Sequence, residues 1–319
     1  MRMQIYHSVA DCQPCGRGAV ALGFFDGLHI GHAAVVSRTL SYQQEGLCPC
    51  VFTFTMDGGH PAAKSTANAL TTERQKEQLL ENWGVRLVLC PDFSEFHAME
   101  PESFVDEILV RRLNANAACC GEDFRFGKKA AGDVGQLAAL CQARGIRLDV
   151  VPPVTFEGER VSSTRIRSLL GEGRVADANR MLGRAFGYDF TVVRGKQLGR
   201  KLDSPTINQR LPDGFVPLRH GVYASVSFAG GAWHPSVTNI GLRPTVEDTT
   251  AVNSETYICG FSGDLYGARV EVRLLAFLRP EQRFPSVEAL RARIHADAEA
   301  SVPIAEEYLA GIAGKTAGR

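Results

Sequence analysis

Gly23-Phe24-Phe25-Asp26-Gly27-Leu28-His29-Ile30-Gly31-His32 stands between two segments of opposite character. Ahead of it, Ala19-Val20-Ala21-Leu22 is an apolar run of strand length; behind it, Ala33-Ala34-Val35-Val36 opens a helix-compatible segment. The glycines and histidines therefore fall on a strand-to-helix turn, where a parallel α/β sheet receives a ligand's phosphates. Gly27 and Gly31 let backbone approach anionic oxygens closely, and the new helix offers unpaired N–H groups. His29 and His32, three residues apart, can donate to the same polyphosphate. The stretch reads as a phosphate cradle. The competing reading is a glycine-rich turn whose histidines cap a helix.

Working outward, residues 50–55 are rich in β-branched and aromatic side chains and suit a buried strand. Thr72-Glu73 opens a helical segment carrying Leu79, Leu80 and Trp83 on its apolar face, closed by Gly84, and residues 85–89 form the next strand. The pattern repeats with a helix from Pro101 carrying Phe104, Val105, Ile108 and Leu109, a strand over 115–120, a helix after Asp133 ended by Gly145, and a strand over 146–151. Strands alternating with helices predict a doubly wound parallel sheet. Two further stretches follow predicted strands, where such a sheet binds its ligands. Gly121-Glu122-Asp123-Phe124-Arg125-Phe126-Gly127 suits an aromatic ring with polar edges, or else packs its phenylalanines into the core. Ser162-Ser163-Thr164-Arg165-Ile166-Arg167 puts hydroxyls and N–H groups at a helix start with Arg167 one turn in; a plain N-cap is the alternative.

A short helix-like stretch over 174–182, ended by Gly183, links to a second half of different style. Residues 189–194, 221–228, 232–240, 254–259 and 268–277 read as successive strands, with Gly230-Gly231 as a hairpin turn. A small antiparallel β-barrel is the expected closure, with a helix from Pro285-Ser286 bearing Val287, Leu290 and Ile294 packed over it. The boundary falls between domains 1–186 and 187–319.

Composition agrees with two ordinary domains: 319 residues, 45% of them hydrophobic. With 35 basic and 35 acidic residues there is no electrostatic footprint for nucleic acid or an anionic membrane. No apolar run approaches the ~18 residues of a membrane span, and residues 1–7 lack a signal-peptide core, so the expectation is a cytoplasmic protein, monomeric or weakly oligomeric, with small-molecule partners. Nine cysteines crowd into the first half except for Cys259. A disulfide framework is not expected in a chain of this length; buried or incidental thiols are the preferred reading. A four-thiolate metal site from Cys12, Cys15, Cys48 and Cys50 is the alternative.

The His-x-Gly-His spacing after Gly-x-Phe-Asp-Gly resembles the nucleotidyltransferase signature. Together with the 121–127 and 162–167 stretches it resembles the adenylyltransferase half of the bifunctional prokaryotic riboflavin kinase/FAD synthetases. That resemblance implies ATP held by Gly23, Phe24, Phe25, Asp26, Gly31, Ser163 and Thr164, with His29, His32 and Arg167 stabilising charge at the phosphates. It also implies a flavin pocket containing Asp123, Phe124 and Phe126. Thr53 to Pro61 departs from the family's usual Thr-Phe-x-Pro-His-Pro.

In the second half, Gly199-Arg200-Lys201-Leu202-Asp203-Ser204-Pro205-Thr206-Ile207-Asn208 and Glu255-Thr256-Tyr257 resemble the riboflavin kinase module of the same family. The resemblance implies ATP bound by Gly199, Lys201, Ser204, Thr206 and Asn208, Mg2+ held by Thr206 and Asn208, and Glu255 as base on riboflavin. Taken alone, Thr206 and Asn208 are turn residues after Pro205, and Glu255 is an exposed strand carboxylate. The implied function is phosphorylation of riboflavin to FMN and adenylylation of FMN to FAD, both from ATP. Asp203, Ile207 and Tyr257 stand where the family usually has Gly, Ala and His. They motivate the alternative, an FMN adenylyltransferase whose degenerate barrel only binds flavin.

Overall fold

Six short strands, β1 (Gln4–Tyr6), β2 (Gly18–Leu22), β3 (Cys48–Phe52), β4 (Leu87–Leu89), β5 (Ala115–Gly121) and β6 (Arg147–Val151), pair in parallel in the order β1-β4-β3-β2-β5-β6. The computed structural model describes residues 2–55, 68–194, 206–244 and 250–316. It divides into two units, residues 1–67 with 73–163, and residues 68–72 with 164–319.

In the first unit, strand alternation splits the sheet between two cores. Val20, Leu22, Phe52 and Leu89 point to one face, where Phe104, Ile108 and Leu137 cover them. Ala19, Ala21, Val51 and Val88 point to the other, under Val35, Val36 and Leu80. The covering helices are α1 (Ile30–Ser41) and α2 (Glu73–Trp83) on one face, and on the other α3 (Pro101–Phe104), running on into π-helical turns over Val105–Arg112, with α4 (Val134–Ala143). From β2 the chain builds β3 and β4 to one side and β5 and β6 to the other. That makes the carboxyl end of β2 the topological switch point, where open α/β sheets bind ligands. The doubly wound sheet expected from the sequence is present. Missing from that reading were β1 and the hairpin β7 (Thr155–Phe156) and β8 (Glu159–Arg160), too short to show a period of two.

Helices α5 (Ser163–Glu172) and α6 (Val175–Leu182) lead into the second unit. Gly183 ends α6 at φ 70°, the left-handed conformation that favours glycine. Strands β9 (Phe186–Tyr188), β10 (Val192–Val193), β11 (Thr206–Arg210), β12 (Gly221–Ala229), β13 (Ala232–Pro244), β14 (Thr250–Ile258) and β15 (Glu271–Arg279) form one antiparallel sheet, ordered β10-β11-β14-β13-β12-β15-β9. The sheet curls toward closure: Val192 N–H donates to the Ala268 carbonyl at 2.9 Å, just ahead of β15, and Thr191 bridges Arg269. This matches the expected barrel, and α7 (Val287–Thr316) packs on it through Ala298 and Ala305. Buried hydroxyls thread the interior, with Ser225 bonding Ser236 and Thr238, and Thr238 bonding Thr256, each at 2.9 Å.

Three local expectations need correction. Residues 189–194 are not one strand: only Val192–Val193 form β10, Thr191 makes an isolated bridge to Arg269, and the Phe190 carbonyl is shared between the Val270 N–H at 3.3 Å and the Gln209 amide at 2.6 Å. Thr206 and Asn208 lie on β11 rather than in a turn. Cys15 and Cys48 form a disulfide, against the expectation of incidental thiols. Chain length argues against a stabilising framework, but it does not prevent one local bridge where two Cα atoms stand 6.3 Å apart. The other buried thiols fit the first reading; burial pushes Cys119 and Cys141 up to about 11 and Cys120 to about 12, so they stay protonated.

Candidate functional site

The turn after β2 is held in an uncommon backbone conformation. Gly27 sits at φ 79°, and so, less usually, do Phe25 at 52° and Leu28 at 42°. A left-handed non-glycine residue costs roughly 1–2 kcal/mol. Both side chains are buried in the core under α1, and burying a Phe or Leu contributes ~1.5–3 kcal/mol. Core packing thus offsets the strain and fixes the shape of the turn.

His29 is the N-cap of α1: its Nδ1 accepts the backbone N–H of His32 at 3.2 Å. That bond leaves the proton of a neutral His29 ring on Nε2. The rings of His29 and His32 stack at 3.6 Å and 14°, and the Phe25 ring meets His32 edge-on at 5.3 Å. A Cβ at Gly31 would stand 3.1 Å from the His29 ring, so glycine is what lets the two imidazoles lie so close. Ser163, the first residue of α5, donates its hydroxyl to the Asp26 carbonyl at 2.9 Å. Phe25 is therefore a buried anchor beneath the turn. Phe24 lies higher, 4.9 Å from the Phe54 ring.

Sequence reasoning missed Lys76. From α2 its ammonium donates to the Phe24 carbonyl at 3.0 Å and to Thr53 Oγ1 at 2.8 Å, while Thr53 donates to the same carbonyl. Burial pushes its pKa down. The signal was available: Lys76 stands at i, i+3, i+4 and i+7 with Leu79, Leu80 and Trp83, a cation on the apolar stripe.

The 121–127 loop divides its aromatics. Phe126 is buried against Phe104 at 5.5 Å, and half-buried Phe124 stacks on it at 5.9 Å and 8°. Phe126 is thus a core residue supporting Phe124. Asp123 is exposed and ion-paired with Arg160 at 2.9 Å. In the second unit, Thr164 is exposed and Arg167 donates to the Asn68 carbonyl at 2.8 Å.

On the barrel, register gathers the second set. Thr206 pairs with Tyr257 and Asn208 with Glu255, and alternation puts Thr206, Asn208, Asn253 and Glu255 on one face. Asn253 was not anticipated. Its amide donates to Asn208 Oδ1 at 3.0 Å and approaches Glu255 Oε1 at 3.4 Å, so it links the two. An Asn two residues ahead of a strand Glu shares its face, which was the available clue. Gly199, Lys201 and Ser204 lie outside the described residues, as does Asp203. Ile207 points to the face opposite Asn208, and Tyr257 packs against the Val222–Val237–Ala298 cluster.

The FAD synthetase family model matches residues 13–165 and the riboflavin kinase family model residues 182–304. A bifunctional riboflavin kinase/FMN adenylyltransferase of Pseudomonas fluorescens is 36% identical over 307 residues, covering 95% of this chain and 98% of its own. The chain belongs to the bifunctional riboflavin kinase/FMN adenylyltransferase family. Other members align nearly end to end: that of Escherichia coli (strain K12) is 36% identical over 87% of this chain and 90% of its own, and that of Listeria monocytogenes 33% over 87% and 89%. The family resemblance expected from the motifs is thereby met. A crystal structure described as a macrolide-efflux protein from Streptococcus pneumoniae superposes with a TM-score of 0.84 at 25% identity, over 94% of this chain and 99% of that one. It shares the fold. Among the described residues no helix is long and apolar enough to cross a membrane.

Proposed function

We propose that the chain carries out both reactions of its family, with residues 187–319 converting riboflavin and ATP to FMN and ADP and residues 1–186 converting FMN and ATP to FAD and pyrophosphate. The observation that carries this is the succession of both family models along one chain, each over its own fold.

In the kinase reaction the weak nucleophile is the terminal hydroxyl of riboflavin. Glu255 accepts its proton as the oxygen bonds to the γ-phosphorus and the bond to the β–γ bridging oxygen breaks. Asn253 fixes Glu255 and Asn208 relative to each other. Thr206 and Asn208 fit Mg2+ because both side chains offer hard oxygens on one face of the sheet. When bound, the cation would neutralise charge on the phosphates. Gly199, Lys201 and Ser204 complete the ATP site of this module.

In the adenylyl transfer an oxygen of the FMN phosphate attacks the α-phosphorus and pyrophosphate leaves. The nucleophile is already anionic, so the protein's work is positioning and charge stabilisation. His29, His32 and Arg167 take that role, with Gly23, Phe24, Asp26, Gly31, Ser163, Thr164 and the buried Phe25 shaping the ATP site. Asp123 and Phe124, backed by Phe126, serve the flavin. Reliance on ATP supports a cytoplasmic enzyme, and a balanced charge supports one without nucleic-acid or membrane partners.

Incubation with riboflavin, ATP and Mg2+, followed by fluorescence chromatography, tests the reading: FMN appears first and FAD follows. Conversion of supplied FMN to FAD with no use of riboflavin would leave only the adenylyltransferase.

A further inference from the structure

Three sulfurs meet at the amino ends of β2 and β3, away from the turn at the carboxyl end of β2. Cys48 and Cys50 stand two apart on β3 and so share a face, and Cys15 arrives from the segment entering β2, where Gly18 pairs with Cys48. All three Sγ atoms lie within 4.8 Å of one another, and those of Cys15 and Cys50 are 3.7 Å apart. Cys12 stays outside the group, its thiol directed to the Arg112 carbonyl at 3.6 Å. Cys15 and Cys48 are half-buried and Cys50 is buried.

We infer that Cys15, Cys48 and Cys50, when reduced, bind one thiophilic divalent cation of the zinc type, and that the Cys15–Cys48 disulfide is the oxidised, metal-free form of the same site. Distance supports it. Zinc–sulfur bonds of about 2.3 Å in a tetrahedron place thiolates roughly 3.8 Å apart, the spacing already found between Cys15 and Cys50. Neither neighbouring sulfur has far to move, and the half-buried pair gives the ion a way in. Three thiolates leave the fourth position to water. The redox step balances with a small dithiol as reductant: two electrons and two protons pass to the cystine, giving two thiols, while the reductant closes its own disulfide. Metal binding then displaces the thiol protons to solvent. A reducing compartment favours the dithiol side. The site and the cradle lie at opposite ends of five-residue β2, about 16 Å apart along the strand, so metal loading leaves the chemistry at the cradle untouched.

The test uses the full chain, reduced with a dithiol and desalted under nitrogen, then titrated with Co2+ as the probe. A thiolate-to-cobalt charge-transfer band should grow to one equivalent and be bleached by one equivalent of Zn2+. Protein oxidised with diamide should show no band. Cys50→Ala should weaken binding by about 100-fold, at least the scale set by losing a contact that supports a metal ligand, while Cys141→Ala, elsewhere in the same unit, should bind as the parent does. In the parent itself, Zn2+ should protect Cys15 and Cys48 from iodoacetamide, read by peptide mass spectrometry, which needs no variant to fold. Absence of the band in reduced protein, an unchanged band in Cys50→Ala, or alkylation of Cys15 and Cys48 indifferent to Zn2+ would each overturn the inference.

Discussion

The His29 Nδ1 accepts the backbone N–H of His32 while the two imidazoles stack 3.6 Å apart. One residue therefore caps the helix and orders its neighbour's ring. A pair fixed in this way is organised before substrate binds, which is the condition for strong charge stabilisation.

Removing one such donor typically costs about 10²–10³ in turnover. His32→Ala is therefore expected to suppress FAD formation from FMN by that factor while riboflavin phosphorylation proceeds at the parental rate. His29→Ala should do the same and also lower stability by about 1 kcal/mol, the usual cost of a lost N-cap. Separate assays of the two products and a urea melt distinguish these effects.

Glu255→Gln should abolish FMN formation and leave conversion of supplied FMN to FAD intact. Asn253→Ala should show the same selectivity more mildly, because the carboxylate remains but loses the amide that links it to Asn208. An equal loss of both activities in either variant would contradict the division of labour.

Lys76→Met removes the cation that holds the Phe24 carbonyl. A lost hydrogen bond from a charged donor costs ~1.5–3 kcal/mol, but burial of that charge is relieved at the same time. Stability should consequently change less than catalysis. We expect FAD synthesis to fall about 10²-fold, the scale of a small misplacement of a reacting group, with a melting temperature close to that of the parent. Unaltered FAD synthesis would show that the turn does not need the ammonium.

Asp297 on α7 receives Arg279 through Nε at 3.0 Å and Nη2 at 2.6 Å, and Arg293 at 3.0 Å. Its carboxylate is 5% exposed and Arg279 12%. Asp297→Ala would leave a buried guanidinium uncompensated, at a cost of about 3 kcal/mol. Denaturant unfolding of the kinase half, followed by Trp233 fluorescence, would read the loss.

Asp149 supplies a pH dependence. Burial raises its pKa, but hydrogen bonds from Tyr42 and Arg38 outweigh that and hold the carboxyl below its usual range. A carboxyl lowered by folding adds stability above its unfolded value of about 3.9, and that contribution is lost as pH falls through the folded value. With Arg38 half exposed, about 1 kcal/mol is at stake. Asp149→Asn should destabilise the protein at pH 7 and flatten the acid limb of its stability profile.

How much of this was written in the chain follows from what each feature depends on. The parallel sheet, the barrel and the cradle were legible because periodicity, turn residues and the spacing of His29 and His32 are local properties of sequence. Strands β1, β7 and β8 were too short to carry a period, and the fragmenting of residues 189–194 depends on partners far along the chain, Gln209 and the segment 268–270. The sequence alone determined which residue types are on offer at the proposed phosphate and flavin sites. Only the tertiary structure decided that Phe25 and Phe126 are buried supports, that Lys76 turns inward to hold a carbonyl, that Asn253 joins Asn208 to Glu255, and that Cys15, Cys48 and Cys50 meet. Each of these rests on contacts between residues far apart in the chain, and such contacts exist only after packing has chosen which side chains share a space.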